Sequence, residues 1–231
     1  MQRQKITGDF NSTVGEVLSS LTVSPTNEPE PAKQLDKLDY WYAKTGLTPE
    51  FSFANDAYPD SKLSKIAHRY LETLDETMTQ GYGLLLSGVK GCGKTYTSAC
   101  IGRELVLRGY TVQLVTAPRL VQLVQANNFT ADCLDKYQVC QFLILDDVGA
   151  ERVTDFAQEI VYEVVDKRYT GRKPIIASTN LSIRELKNPD SLMQGRTFDR
   201  LLERCYPYVC EKINRRAHFS CYNQMKRLLE E

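Results

Sequence analysis

A glycine-rich segment that directly follows an apolar run constrains the fold of this chain more than any other feature. The run Leu84–Leu86 leads into residues with the spacing G-x-x-x-x-G-K-T, which are Gly88, Val89, Lys90, Gly91, Cys92, Gly93, Lys94 and Thr95. Glycines let the backbone wrap closely around an anion, and backbone N–H groups at the start of a helix attract phosphate. The pattern requires a strand before it and a helix after it, and the flanking residues predict both, at Gly83–Ser87 and Thr95–Arg108. We therefore expect a phosphate-binding loop that joins a buried strand to a helix.

The loop and a second apolar run together predict a nucleoside triphosphate and Mg²⁺ as ligands. Lys94 would reach the outer phosphates, and the Thr95 hydroxyl would hold Mg²⁺. The apolar run Phe142–Leu145 ends in Asp146 and Asp147. In a nucleoside triphosphatase the first of two such carboxylates holds the metal, and the second orients or deprotonates the attacking water. An Asp-rich turn is the structural alternative, and the loop upstream favours the metal site.

A third apolar run, Ile175–Ala177, leads towards Asn180. Ligands bind outside the carboxyl ends of the strands in an open parallel sheet. Asn180 would therefore lie beside the γ-phosphate and could hydrogen-bond the phosphate or the attacking water. Asn also favours turns, which is the alternative interpretation. Glu151 is a weaker candidate for the same work as Asp147.

The rest of the chain alternates apolar, strand-like runs with amphipathic segments, which predicts a parallel sheet covered by helices on both faces. The predicted strands are Gly83–Ser87, Thr111–Thr116, Gln141–Asp146, Pro174–Thr179 and Pro207–Ile213. After the loop helix, the predicted helices are Pro118–Gln125, Asp132–Tyr137, Thr154–Tyr169, Ser191–Cys205 and Tyr222–Glu230. The fold class is accordingly α/β.

The chain before the loop divides into two parts. Residues 1–31 contain an amphipathic helix over Val14–Leu21 and a linker rich in proline, a pairing that suits either a partner-docking element or a helix packed on the main domain. Residues 32–80 form a lead-in that holds many aromatics, which either cover a core edge or stack on bases, and the core interpretation is favoured. A helix is predicted over 61–78. Residues 81–231 form the nucleotide-binding domain.

Composition excludes several classes of protein. The chain has 231 residues, a formal net charge of +0 and 42% hydrophobic residues, so an overall electrostatic attraction to nucleic acid is not indicated. No apolar run reaches the length of a membrane span, and no secretory signal is visible. Seven cysteines without C-x-x-C spacing and two histidines argue against zinc and for reduced thiols in the cytoplasm. Oxidation of Cys92 is the alternative, and it requires a lowered thiol pKa.

An arginine stripe lies near the end of the last long helix. Arg196, Arg200 and Arg204 recur every four residues, on the side opposite the apolar stripe that contains Phe198. They form either a solvated face paired with acids of the same helix, Asp199 and Glu203, or a contact to the nucleotide of a neighbouring subunit, an arginine finger. Two further arginines, Arg215 and Arg216, are candidates for a phosphate contact within the same chain.

Taken together, these segments resemble the AAA+ helicase loaders of bacteria and phages, the DnaC/DnaI type, and the related IstB transposition helper ATPases. The resemblance runs from Trp41 to Arg216. It rests on Gly83–Gly88 with the G-K-T of the loop, Arg108–Val112, Val115–Leu120, Leu145–Glu151, Ser178–Leu181, Asp199–Leu202 and the short segment Thr45–Pro49.

The resemblance implies an AAA+ P-loop NTPase, a three-layer sandwich with a short N-terminal helical extension, that hydrolyses ATP with Mg²⁺. It assigns phosphate and metal binding to Lys94 and Thr95, the metal acid to Asp146, the catalytic acid to Asp147, sensor 1 to Asn180, the arginine finger to Arg200 and sensor 2 to Arg216. Many relatives have Glu at the position of Asp147, and the shorter side chain predicts slow hydrolysis. Some loaders carry an N-terminal zinc module, whereas this chain has no cysteine before Cys92.

The resemblance also implies partners. A replicative DNA helicase, single-stranded DNA and further copies of the chain, arranged head to tail through their ATP sites, are expected, without a membrane. The helices over Pro118–Tyr137 correspond to the element that contacts DNA, where Arg119 and Lys136 are basic and Phe129 and Tyr137 could stack on bases. A transposition helper and a small-molecule P-loop kinase remain the alternatives.

Overall fold

The structure is a computed structural model that describes residues 31–128, 130–151, 154–211, 225 and 229. The α-helices of these ranges are α1 (Pro31–Thr45), α2 (Lys62–Glu72), α3 (Leu74–Gln80), α4 (Lys94–Leu107), α5 (Ala117–Ala126), α6 (Asp135–Val139), α7 (Asp155–Thr170), α8 (Ile183–Lys187) and α9 (Leu192–Arg204). The strands are β1 (Gly83–Ser87), β2 (Val112–Thr116), β3 (Phe142–Asp146), β4 (Ile175–Thr179) and β5 (Cys205–Val209). Short 3-10 helices cover Phe53–Asn55 and Ala131–Leu134.

The strands form one five-stranded sheet in the order β2-β3-β4-β1-β5, and every neighbouring pair is parallel. The inner strands β1, β3 and β4 are buried along their whole length. Successive residues of a strand point to opposite faces, and Leu84 and Leu85 accordingly belong to two different hydrophobic clusters. The predicted α/β fold with helices on both faces is therefore confirmed.

Local chemistry explains where several helices begin. A Ser or Thr side chain accepts a backbone N–H bond from the first turn of α2, α5, α7, α8 and α9; these caps are Ser61, Thr116, Thr154, Ser182 and Ser191. Such caps satisfy N–H groups that have no partner inside the helix. In the described part of the chain, no helix is both long and apolar enough to cross a membrane.

One helix and one strand differ from the predictions. The single helix predicted over 61–78 is two helices, because the Thr73 N–H and hydroxyl both donate to the carbonyl oxygen of Tyr70 and end α2. The last strand runs over Cys205–Val209, so the prediction of Pro207–Ile213 was wrong at both ends. Cys205 is already extended and pairs with Gly83 of β1, which leaves no loop between α9 and β5. The predicted helices Val14–Leu21 and Tyr222–Glu230 lie outside the described ranges, apart from residues 225 and 229.

Helix α1 was not predicted, and it joins the lead-in to the nucleotide-binding domain. It packs against α4 and β2. Trp41 and Tyr42 are buried in the same cluster as Leu84, which confirms that these two aromatics cover the core. A side chain at Gly102 of α4 would have its Cβ 2.8 Å from the Trp41 ring atom Cζ2, so the indole occupies the space that this glycine leaves open.

Candidate nucleotide site

Residues 88–93 connect β1 to α4, as predicted for the phosphate-binding loop. Gly91 and Gly93 have φ angles of 85° and 102°, a region that only glycine occupies without strain. Gly93 is the N-cap of α4 and supplies no side-chain bond to the first turn. The N–H groups at this helix end are therefore available to an anion, as in other helix N-termini that bind phosphate.

Lys94 is buried at the mouth of this loop, with a relative exposure of 6%. Its Nζ atom donates to the carbonyl oxygens of Gly88 at 2.7 Å and Val89 at 3.1 Å, and to Oδ1 of Asn180 at 3.0 Å. A buried lysine is rare unless its charge is paired, and no carboxylate contacts this ammonium in the described ranges. The arrangement leaves a positive charge ready for a negatively charged ligand.

Asp146, at the end of β3, is buried and bonded to two hydroxyl groups. The Thr95 hydroxyl donates to its Oδ2 at 2.8 Å, and the Ser178 hydroxyl donates to its Oδ1. The backbone N–H of Asp147 donates to Ser178 Oγ at 3.2 Å. Ser178 thus ties both acidic residues to β4. No role was assigned to it from the sequence, although its position in the polar end of an apolar run was the available signal.

Asp147 and Asn180 meet at the same edge of the sheet. Asn180 Nδ2 lies 3.4 Å from Asp147 Oδ1, while the Oδ1 atom of the same amide accepts from Lys94. Asp147 has a φ angle of 54°, the left-handed conformation that Asp tolerates better than most residues. The structure therefore brings Lys94, Thr95, Asp146, Asp147 and Asn180 together as predicted.

Glu151 has a different place from Asp147. It is buried, and its Oε2 accepts the N–H of Gly149 at 2.8 Å, which closes the loop after β3. Burial raises the pKa of this carboxyl group. Glu151 is accordingly a loop anchor.

The side chains at this site fit ATP with Mg²⁺. A threonine hydroxyl and a carboxylate offer the oxygen ligands that Mg²⁺ prefers, and Mg²⁺ commonly takes only one or two protein carboxylates beside phosphate and water. Within the described ranges, no three His, Cys, Asp or Glu side chains are grouped so as to hold a metal. The buried ammonium and the uncapped start of α4 match the phosphates.

The arginine stripe on α9 has partners that the sequence did not indicate. Arg200 Nε donates to Asp166 Oδ1 at 2.6 Å, and Nη2 donates to the Tyr162 hydroxyl at 2.9 Å, so the partners lie on α7. Arg204 donates to the carbonyl oxygen of Gln80 at 3.2 Å. Arg196 is exposed. Within one chain, Arg200 joins α9 to α7.

The predicted DNA-contact element is partly buried. Tyr137 belongs to the hydrophobic core with 5% exposure, so the prediction that it could stack on a base was wrong. Arg119 and Lys136 are exposed. Phe129, Arg215 and Arg216 lie outside the described residues, and the predicted roles of Phe129 and Arg216 stay predictions.

The strand order and the loop site define a P-loop ATPase fold of the AAA+ class. The structure is similar to the crystal structure of DnaI, with a TM-score of 0.59 and 24% identity over 73% of this chain and 94% of that chain. The family model of the IstB-like ATP-binding protein matches residues 37–215, and the chain belongs to this family. The resemblance noted from the sequence is therefore confirmed.

Two curated relatives are similar to this chain. The replicative helicase loader DnaI of Bacillus subtilis (strain 168) is 28% identical over 176 residues, which is 70% of this chain and 56% of the relative. The uncharacterized protein YdaV of Escherichia coli (strain K12) is 30% identical over 131 residues, which is 55% of this chain and 52% of the relative. The chain thus spans about half the length of the curated relatives it matches.

Proposed function

We propose that this protein hydrolyses ATP and uses the hydrolysis cycle to load a replicative DNA helicase onto single-stranded DNA. The proposal of hydrolysis rests on two groups of hydrogen-bonded side chains at one edge of the sheet. Asn180 contacts both Lys94 and Asp147, and Thr95 contacts Asp146. The helicase is proposed because a relative, DnaI, is named a replicative helicase loader.

Each side chain has a distinct role in this proposal. Lys94 and the N–H groups of the loop bind the β- and γ-phosphates, and Thr95 and Asp146 would hold Mg²⁺, which when bound offsets phosphate charge. Asp147 orients the attacking water and accepts its proton while the bond from the γ-phosphorus to the leaving oxygen of ADP breaks. Asn180 contacts both Asp147 and Lys94 and keeps these two side chains in fixed positions relative to each other. Hydrolysis is slow because the Asp147 side chain is short.

Arg200 is the proposed arginine finger, and it would act on the nucleotide of a neighbouring copy. Head-to-tail contacts of this kind build rings or open spirals. To reach a neighbour, the guanidinium must leave Asp166 and Tyr162, which hold it within one chain. The pairing with Asp166 therefore competes with the finger role.

The hydrolysis test measures phosphate release with and without single-stranded DNA and without any phosphate acceptor. Lys94→Ala should abolish ATP binding measured by calorimetry, whereas Lys167→Ala on the exposed side of α7 should not. Phosphate release without an acceptor separates hydrolysis from a small-molecule kinase activity. Retained micromolar ATP binding by Lys94→Ala would rule out the phosphate site.

The finger test compares Arg200→Ala with Asp166→Asn, the variant that removes the competing charge. If Arg200 serves only to join α9 to α7, both variants should lose stability and activity together. If it is a finger, Arg200→Ala should lose activity in the assembled protein, and Asp166→Asn should keep or raise it. Full activity of Arg200→Ala, including any DNA stimulation, would refute the finger.

The partner test measures loading of a hexameric replicative helicase onto circular single-stranded DNA by the full chain. The family description favours one second candidate, an IstB-like helper that acts on a transposase. Stimulation of a transposase without helicase loading would support that candidate. If residues 1–31 are the docking element, the full chain should recover the helicase in a pull-down, and a chain without these residues should not. Equal recovery would mean that the helicase binds another part of the chain.

A further inference from the structure

We propose that hydrogen peroxide oxidises Cys92, inside the phosphate-binding loop, and Cys210, just after β5, to a reversible disulfide. This disulfide weakens the binding of ATP at the nucleotide site. Formation of the disulfide does not depend on the proposed hydrolysis or helicase loading. Its effect on ATP rests on the assignment of the phosphate-binding loop.

The two side chains converge on Gly88 from different parts of the chain. A Cβ atom on Gly88 would lie 3.1 Å from Cys210 Cβ and 3.4 Å from Cys92 Sγ. The two side chains are hydrogen-bonded to each other. The backbone N–H of Cys210 donates to the carbonyl oxygen of Ser87 at 2.7 Å, so Cys210 is fixed beside the start of the loop. The thiols are therefore adjacent, and neither is part of a disulfide in this structure.

The surroundings of Cys92 favour its reaction. The hydrogen bond with Cys210, and after it the positive charge of Lys94, lower the pKa of the Cys92 thiol to about 6, although burial opposes this shift. Lys94 Nζ lies 3.7 Å from Cys92 Sγ. By contrast, burial raises the pKa of Cys100 and of Cys205 to about 12. Because the thiolate is the nucleophile, Cys92 should react before these two cysteines.

The reaction takes two electrons from the two thiols. The Cys92 thiolate attacks one oxygen of hydrogen peroxide, the O–O bond breaks, and the leaving hydroxide takes up a proton to become water. Cys92 is now a sulfenic acid. The Cys210 sulfur then attacks the Cys92 sulfur, the S–O bond breaks, and the hydroxyl leaves as water with the Cys210 proton. The thiols are oxidised to a disulfide, and peroxide is reduced to two waters.

Peroxide suits this pair because both sulfurs are enclosed. Cys92 and Cys210 have relative exposures of 2% and 4%. A molecule as small as peroxide therefore reaches these sulfurs more readily than a large disulfide reagent does. The new bond would tie the loop to the strand β5 and hold the atoms beside Lys94 in one arrangement. ATP bound beforehand should slow the oxidation, since phosphates in the loop draw Lys94 away from Cys92.

The test treats the full chain with hydrogen peroxide and maps disulfides by mass spectrometry without reduction. Trypsin should release Cys92 in residues 91–94 and Cys210 in residues 205–212, and fragmentation must separate Cys210 from Cys205 in the second peptide. We expect a linked Cys92–Cys210 peptide, a loss of ATP affinity of at least about tenfold measured by calorimetry, and recovery with dithiothreitol. Bound ATP should lower the yield of the linked peptide.

Two variants complete the test. Cys133→Ser, which removes a more exposed thiol, should behave as the wild type. Cys210→Ser should form no linked peptide, because its serine cannot displace the hydroxyl of the Cys92 sulfenic acid. The absence of a linked peptide in the wild type, or unchanged ATP affinity in the linked protein, would overturn the proposal. If the reduced protein does not bind ATP, the assignment of the phosphate site is refuted, and the peptide map still decides whether the disulfide forms. If Cys210→Ser does not fold, the peptide map of the wild type decides the question alone.

Discussion

Replacing the buried Arg168 by Met should destabilise the protein severely. Its guanidinium is fully buried at the ends of three elements and donates to four backbone carbonyl oxygens within 3.0 Å: those of Tyr137, Cys140, Gln141 and Pro174. No carboxylate pairs with it in the described ranges, and burial lowers its pKa. Each carbonyl left without a donor costs roughly 1–3 kcal/mol.

The free energy of unfolding should fall by about 4–6 kcal/mol. This is less than the full cost of four unpaired carbonyl groups, because the Met side chain recovers part of the transfer free energy and water reaches some of the carbonyls. A domain stability of about 5–15 kcal/mol would then fall by about a quarter or more. Unfolding in guanidinium chloride, with a slope of about 4–6 kcal/mol per molar, should show a midpoint lower by roughly 1 M.

The matched control is Lys167→Met, which also replaces a basic side chain by Met, at an exposed position one residue earlier. It should change stability by less than about 0.5 kcal/mol. Equal midpoints for the two variants would refute the reasoning. That result would mean that desolvation of the Arg168 charge cancels its hydrogen bonds, as happens in some buried ion pairs.

Two further predictions concern buried groups near the site and under α1. Burial raises the pKa of Glu151, so the folded state holds the carboxyl proton more tightly than the unfolded state does. The free energy of unfolding should therefore fall as pH rises from the ordinary carboxyl pKa towards the raised pKa. Glu151→Gln should remove this fall in unfolding curves measured across that pH range. Gly102→Ala should cost about 1–3 kcal/mol, because its Cβ would lie 2.5 Å from Ile144 Cδ1, and Trp41→Phe in the same chain should recover part of that loss in a double-mutant cycle.

The sequence predicted the inner strands and the polar side chains that meet at one edge of the sheet, because these depend on local patterns. Each buried run ended in polar side chains, and parallel topology brings such ends to one edge. Helix α1 was missed because Tyr40, Trp41 and Tyr42 are consecutive aromatics, and these blur a helical period. The partner of Arg200 was missed because Asp166 is 34 residues away on another helix. Tertiary contacts of this kind have no signature in local spacing.

The left-handed backbone of Asp147 has a consequence for how the site can vary. A φ angle of 54° is strained for most side chains and best tolerated by Gly, Asn and Asp. Exchanging Asp147 for a longer acid therefore alters the backbone conformation of the turn as well as the reach of the carboxylate. An Asn at this position removes the charge and keeps the turn, whereas an Ala or Val confounds lost chemistry with misfolding. Asp147→Asn is accordingly the substitution that tests the proposed catalytic role of this carboxylate.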